Sequence, residues 1–547
     1  MKISGSQLVA RALALHGVEK IFFIMGGPIN DALKAAGEAG IGLIDVRHEQ
    51  AAAMAAQAYS RVLSRPGVCM GASGPGTINL TTGLANALID CAPVVALGGS
   101  APIAQTGIGA FQDIDQVAIM RPVTKWAERI HDTKRIPEMI ATAFRQALSG
   151  KPGPVFLDLP GDVLYAQVEE EEVVWPQVYD PRDFAGVATA EAIEELVGLV
   201  EAAERPVILS GTGVLWGRGQ AAFADFVEAT GIPFYTTPQG RGVLPEDHEY
   251  FYGHARSTAF KKADLVIVAG TRLNYVYSHG RSPRFAADAK FVRIDIDPAE
   301  LARTERMALG ICGDVGRVLA QATEAMADRK AGRGFSAWRE TLGAIERERT
   351  PGAEEKMATG QVPIHPLRLC REIRDFIDRD TILVVDGQEI LNYGRQSIPS
   401  FTLGHRLNSG PFGTMGVGMP FGVGAKAAKP DHKVVVLHGD GSFGLNAMEL
   451  DTAVRHGLPI LVVISLNGGW TADPARDKPG RELGYTRFDK FAELLGCHGE
   501  YVEDPDEIAP ALQRAAQAVA EGRPALVNVV TDWSARAGTA AFTAYST

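Results

Sequence analysis

The stretch HGDGSFGLNAMELDTAVRHGLPILVVISLNGGW (438–470) follows directly on the apolar run Val434–Leu437. Its Gly439, Gly441 and Gly444 spell G-x-G-x-x-G, the spelling of a dinucleotide-binding turn between a strand and a helix. Asp440 speaks against that use. A turn of this kind holds a bare pyrophosphate on backbone N–H groups, and a carboxylate in its path repels the ligand. The acid expected about 20 residues on for a ribose is missing too, because Pro459–Ile464 is wholly apolar. Both difficulties vanish if a divalent cation sits between the carboxylate and a diphosphate. Mg²⁺ takes hard oxygen ligands and is commonly shared between phosphates and one or two protein groups. The second ligand then belongs at the end of the next strand. After a helix over NAMELDTAVRHG and a strand over LPILVVIS, that place falls to Asn467, and Gly469 adds a backbone carbonyl. Gly439, Gly441 and Ser442, at the helix start, are left to face the diphosphate.

The rest of the chain fits an enzyme built from several α/β domains. A chain of 547 residues is too long for one core. The formal charge of −11, with no Lys/Arg block, argues against nucleic acid or an anionic membrane surface as partner. Five scattered cysteines without a C-x-x-C pair read as core residues in a reducing compartment. The start MKISGSQLVARALALHG reads as a strand and an amphipathic helix, unlike a signal peptide, and no run is apolar enough to span a bilayer. The cytoplasm is the expected location.

Short β-branched runs alternate with Ala/Leu/Glu-rich helical stretches throughout. Strands are predicted at 20–26, 41–46, 66–73, 92–100 and 153–160, then at 205–211, 232–238, 263–273 and 290–298. A last set falls at 381–387, 432–441, 459–467 and 524–532. Continuous apolar strands with helices between them imply parallel sheets covered on both faces. The acidic, proline-bearing stretch 168–183 reads as a linker, and the charged segment 328–360 as a second connection. The expectation is an α/β chain of three doubly wound parallel-sheet domains, 1–167, 184–328 and 361–547.

At Gly439–Gly441 and Asn467 the chain resembles the thiamine diphosphate (ThDP) enzyme superfamily, whose signature is GDG followed by a pair of asparagines. Here the first of the pair is Leu466, and the metal-ligand position keeps Asn467. The resemblance implies Mg²⁺ on Asp440, Asn467 and Gly469. It names the three domains pyrimidine-binding, central Rossmann-like and diphosphate-binding. It also implies a catalytic carboxylic acid against N1′ of the aminopyrimidine, promoting its imino form. Glu49 stands in the matching R-H-E context, with His48 more structural than catalytic. A lone Glu at a strand end otherwise reads as a solvated cap.

Further matches follow. The turn Gly74–Gly76 lies by the pyrimidine, so Gly76 is a cofactor contact; the Gly413 carbonyl accepts from the 4′-amino group; Met415 wedges between the two rings, or fills core. AFQDIDQ (110–116) resembles acetolactate synthases and 2-hydroxyacyl-CoA lyases, with Gln112 facing the reacting carbon. Oxalyl-CoA decarboxylase carries Tyr-Glu there, and benzaldehyde lyase a histidine at Pro28. Residues 242–296 resemble the acyl-CoA branch, which places Arg256 by the CoA phosphates and Asp295 on the ribose of a regulatory ADP. A surface arginine and a strand-end aspartate are the plain alternatives. The resemblance thus implies a 2-hydroxyacyl-CoA lyase, a carbon–carbon lyase giving an aldehyde or ketone and formyl-CoA. A carboligase of the benzaldehyde lyase or acetolactate synthase kind and an oxalyl-CoA decarboxylase are the other readings. The family's acid and metal meet across subunits, which implies a homodimer at minimum and a homotetramer by preference. The tail 534–547 is either a lid or a frayed end.

Overall fold

The computed structural model describes residues 1–303, 306–327, 334–470 and 476–537. Three parallel sheets carry the chain. In the first, the strands run in the order Gly42–Asp45, Lys20–Phe23, Gly67–Gly71, Val94–Ser100, Val155–Pro160, Trp126–Arg129. The third repeats that order: Arg406–Leu407, Ile382–Asp386, Val434–Gly439, Leu461–Leu466, Ala525–Val530, His498–Val502. The central sheet runs Phe234–Thr236, Pro206–Ser210, Leu265–Ala269, Lys290–Asp295, Met307–Cys312. Each inner strand is buried along nearly its whole length, which is why it reads as a continuous apolar run. In every sheet the second strand of the unit lies outside the first and the third lies on its other side. That reversal opens a crevice at the carboxyl ends of the strands, where ligands of open α/β sheets bind.

Several local expectations are corrected. Trp126–Arg129, Met307–Cys312, Arg406–Leu407 and His498–Val502 are strands that the sequence did not announce, and each lies at a sheet edge. Of the helix read over NAMELDTAVRHG only Glu449–Arg455 is helical, and a separate helix before it, Asp440–Leu445, starts inside the GDG itself. The connection 328–360 is mostly a helix, Ser336–Met357. Residues Gly74–Gly76 are less a turn than the entry to a short helix, Pro75–Ile78. Of the tail proposed as a lid, 538–547 lie outside the described residues.

The first and third units share one core. The helix Glu49–Leu63, alanine-rich and buried on almost every side, lies against the helix Gly418–Ala428. A Cβ on Gly424 would come within 2.2 Å of the Ala55 carbonyl oxygen, so only glycine admits this backbone approach. Polar contacts extend the seam: Gln50 Nε2 donates to Asn446 Oδ1 (2.9 Å), and the Arg47 N–H donates to Glu449 Oε1 (3.0 Å).

Candidate active site

The reversal point of the third sheet lies between Ile382–Asp386 and Val434–Gly439. A cleft there is lined by Gly439, Asp440, Gly441 and Ser442 from one strand end and by Asn467 and Gly469 from the next, with Met415 at its side. Six residues chosen from the GDG–Asn pattern, and Met415 from a separate segment, are thus brought together. Asp440 is 5% exposed and accepts from two backbone amides, Gly441 N and Gly468 N, both at 2.8 Å. Burial pushes its carboxyl up to about 6. A buried carboxylate with amide partners, in one cleft with Asn467, whose Oδ1 accepts from Gly469 N at 3.2 Å, is a hard-oxygen donor set that suits Mg²⁺. The Gly441 N–H, expected to face a diphosphate, is given to the Asp440 carboxylate itself. A Cβ on Gly441 would lie 2.7 Å from the Trp470 ring, so the indole closes one wall against a bare backbone.

Strand alternation explains Leu466. Ser465 and Asn467 line the cleft, while Leu466 between them is fully buried in the core. The substitution therefore leaves the donor set of the cleft unchanged.

Glu49 stands at the first turn of its helix, 9% exposed, and accepts from Asn79 Nδ2 at 2.9 Å. Its Oε1 is 3.4 Å from the place a Cβ on Gly76 would occupy. His48 is the helix cap: its Nδ1 accepts from Gln50 N at 3.1 Å. Gln112 has a left-handed backbone (φ 58°), and its Oε1 accepts from Ser73 Oγ at 2.7 Å, which leaves its amide nitrogen as a donor. None of Glu49, Gly76 and Gln112 lines the Asp440 cleft. Gly413, with φ 75°, stands exposed two residues before Met415 and off the cleft wall as well.

Sequence reading missed several groups. Asn79 and the buried Gln116, which accepts from Gly74 N at 3.1 Å, hold the first-unit loops. Glu449, 1% exposed, receives the Arg47 N–H and the Thr452 hydroxyl (2.7 Å), and burial pushes its carboxyl up to about 7. It pins the loop that launches Glu49. Only the spatial contact reveals this, since the two lie some 400 residues apart.

The central sheet carries a cavity of about 390 Å³ at its own reversal point, with Asp295 on its wall. This volume falls in the range of small-molecule sites. Asp295 is buried and its carboxyl is pushed up by desolvation. Arg256 is not on this wall. It donates to Tyr277 OH (2.7 Å) and Thr236 O (3.3 Å), and Tyr277 and Arg395 are what the cavity meets. Arg284 lies over the Tyr277 ring at 5.5 Å. Burial and then Arg256 hold Arg284 below the usual guanidinium range; Arg395 is lowered by burial, Arg241 and Arg256.

Models of the thiamine pyrophosphate enzyme family match all three units: the N-terminal binding domain over 3–119, the central domain over 193–322 and the C-terminal binding domain over 392–529. The chain is 34% identical to a 2-hydroxyacyl-CoA lyase of Arabidopsis thaliana, over 97% of its length and 96% of the relative's. The chain belongs to the thiamine diphosphate-dependent enzymes. Within that family its likeness is divided. The acetolactate synthase large subunit IlvG of Mycobacterium tuberculosis is 33% identical over 96% of this chain and 95% of its own. Oxalyl-CoA decarboxylase of Escherichia coli K12 is 30% identical over the same shares. Thiamine diphosphate enzymes of these three names act as lyases, synthases and decarboxylases, and identity near one third does not choose among them. Among the described residues no helix is long and apolar enough to cross a membrane.

Proposed function

We propose that this enzyme is a 2-hydroxyacyl-CoA lyase that requires ThDP and Mg²⁺. It splits the C1–C2 bond of its substrate into an aldehyde or ketone and formyl-CoA, and runs in reverse as an acyloin-type condensation. The observation that carries the acyl-CoA class is the guanidinium group of Arg256, Arg284 and Arg395 gathered around Tyr277. Arg256 lies close enough to lower both Arg284 and Arg395, and three guanidinium groups within such reach suit the phosphates of a CoA, which a free 2-keto acid lacks. Segment 110–116, without the Tyr-Glu pair, favours lyase over oxalyl-CoA decarboxylase. The near-equal identity to an acetolactate synthase keeps a carboligase acting on free aldehydes or 2-keto acids as the second reading.

When bound, ThDP would supply a nucleophilic carbon for the thioester carbonyl and a sink for the electron pair of the C1–C2 bond. In this reading Glu49 keeps a proton at N1′ of the aminopyrimidine, Gly76 and Gly413 flank that ring, and Met415 separates the rings. Asp440, Asn467 and the Gly469 carbonyl hold Mg²⁺, with Gly439, Gly441 and Ser442 against the diphosphate. The Gln112 amide nitrogen donates to the reacting oxygen. The substrate's O–H proton leaves as the bond breaks, and a proton returns to the former carbonyl carbon, so the products balance. Asp295 holds the ribose of a regulatory ADP in the central cavity. Domain bounds at 1–167, 184–328 and 361–547, a homodimer or homotetramer, and the cytoplasm complete the proposal.

The test is one assay with three substrates: a 2-hydroxyacyl-CoA, pyruvate and benzaldehyde. Formyl-CoA from the first alone is expected by mass spectrometry. Acetolactate from pyruvate without formyl-CoA from the thioester would replace the lyase by the carboligase. Arg256→Ala is expected to raise KM for the thioester about ten-fold or more, with kcat little changed.

A further inference from the structure

The helix Gln116–Met120 of the first unit begins with a side chain that is held at three points. Gln116 is 1% exposed. Its Nε2 donates to the Gly99 carbonyl oxygen at 2.8 Å and to Asp158 Oδ1 at 2.5 Å, on the paired strands Val94–Ser100 and Val155–Pro160. Its Oε1 accepts from Gly74 N at 3.1 Å. A carbonyl and a carboxylate accept, and a backbone N–H donates. The place therefore calls for two donors and one acceptor on one side chain, which is what an amide offers. Asp158 is fully buried and is fixed in turn by Ser100 Oγ (3.1 Å) and Arg129 Nε.

Two adjacent residues couple this anchor to Gln112. The Ser73 hydroxyl donates to Gln112 Oε1 at 2.7 Å, and the next N–H, that of Gly74, meets Gln116. Gly74 has φ 60°, and a Cβ there would lie 2.7 Å from the Gln112 carbonyl oxygen, so the two loops touch backbone to backbone. Gln112 keeps its own left-handed backbone (φ 58°), which persists in a non-glycine residue when the surroundings over-determine it. Glu49 is held by a different set of contacts, its own helix and Asn79.

We propose that Gln116 is a positioning residue: through Gly74 and Ser73 it aims the Gln112 amide at the reacting oxygen. The inference rests on the role given to Gln112 above and deepens it. Buried among protein groups, Gln116 acts by fixing Ser73 and Gly74 to the sheet. With that anchor cut, the Ser73–Gly74 backbone can shift, the Ser73 hydroxyl leaves Gln112 and the left-handed turn relaxes. The loss then falls on the step that needs Gln112 and spares the proton that Glu49 keeps at N1′.

The test is a double-mutant cycle on enzyme loaded with ThDP and Mg²⁺: the native protein, Gln112→Ala, Gln116→Met and the two together. Each is assayed on whichever substrate of the three-substrate assay the native enzyme turns over. Gln116→Met is expected to lower kcat at least about ten-fold. In the Gln112→Ala background it should change kcat by less than about two-fold. Exchange of the cofactor's C2 proton, followed by NMR, should stay within about three-fold of native in Gln116→Met. A general loosening of the first unit would lower kcat by the same factor in both backgrounds, or slow the exchange as well, and either result overturns the proposal. Gln116→Glu keeps the oxygen that Gly74 meets and removes the donors toward Asp158 and Gly99. It runs the same cycle, judged by the same outcomes, if the methionine variant does not fold. Gln116→Met at the native rate beside an impaired Gln112→Ala overturns this proposal alone. Gln112→Ala at the native rate removes the role of Gln112 itself, and the proposal with it.

Discussion

Asp440 and Glu49 are two buried carboxylic acids with different demands placed on them, and substitution separates the two. Asp440→Ala is expected to abolish tight binding of ThDP with Mg²⁺ while the melting temperature of the cofactor-free protein holds. Calorimetric affinity within about threefold of the native enzyme would refute the oxygen-donor assignment. Glu49→Gln keeps size and polarity, so cofactor affinity should persist. Exchange of the cofactor's C2 proton, followed by NMR, should slow by about 10²–10⁴. Exchange at the native rate would remove Glu49 from the chemistry. The Asp440–Asn467 pair was legible because both sit on neighbouring strand ends in one short stretch of sequence. Asn79 and Glu449 were not, because nothing local marks them. Their partners are reached only when the chain folds back.

Helices and strands tell the same story one level up. Inner strands were readable from their unbroken apolar runs, whereas edge strands such as Trp126–Arg129 and His498–Val502 carry polar faces and look like loop. The duplicated strand order of the first and third sheets left no trace in sequence, since topology constrains burial rather than residue identity. Two predictions belong here. Gly424→Val drives a branched side chain into the Ala55 carbonyl and should cost about 3 kcal/mol or more, read by denaturant unfolding. A cost below about 1 kcal/mol would mean the seam yields. Glu449 titrates near 7 in the folded chain against 4.5 when unfolded. The folded state therefore holds its proton longer, and the linked stability is full below pH 4.5 and lost as pH rises through about 7. Glu449→Gln should accordingly gain on the native protein by roughly 2–3 kcal/mol between pH 5 and pH 8. A parallel pH dependence in the two proteins would place the proton elsewhere.

At the scale of the molecule, the seam between the helices Glu49–Leu63 and Gly418–Ala428 ties the first and third units into one body. Ile108, Phe111 and Ile114 stand 76%, 84% and 44% exposed beside Gln112, an apolar surface that a second copy would cover. Light scattering should accordingly give a dimer or a tetramer, and Phe111→Asp should shift it toward monomer with loss of activity. A fully active monomer would refute the shared site. The separation of Glu49 from the Asp440 cleft has a genetic consequence. If each centre draws its acid from one chain and its metal ligands from the other, two dead alleles can rescue each other. A chain with Glu49→Gln paired with one bearing Asp440→Ala puts both lesions into one centre and leaves the second intact. Random mixing should then restore about a quarter of native activity, where either protein alone has none.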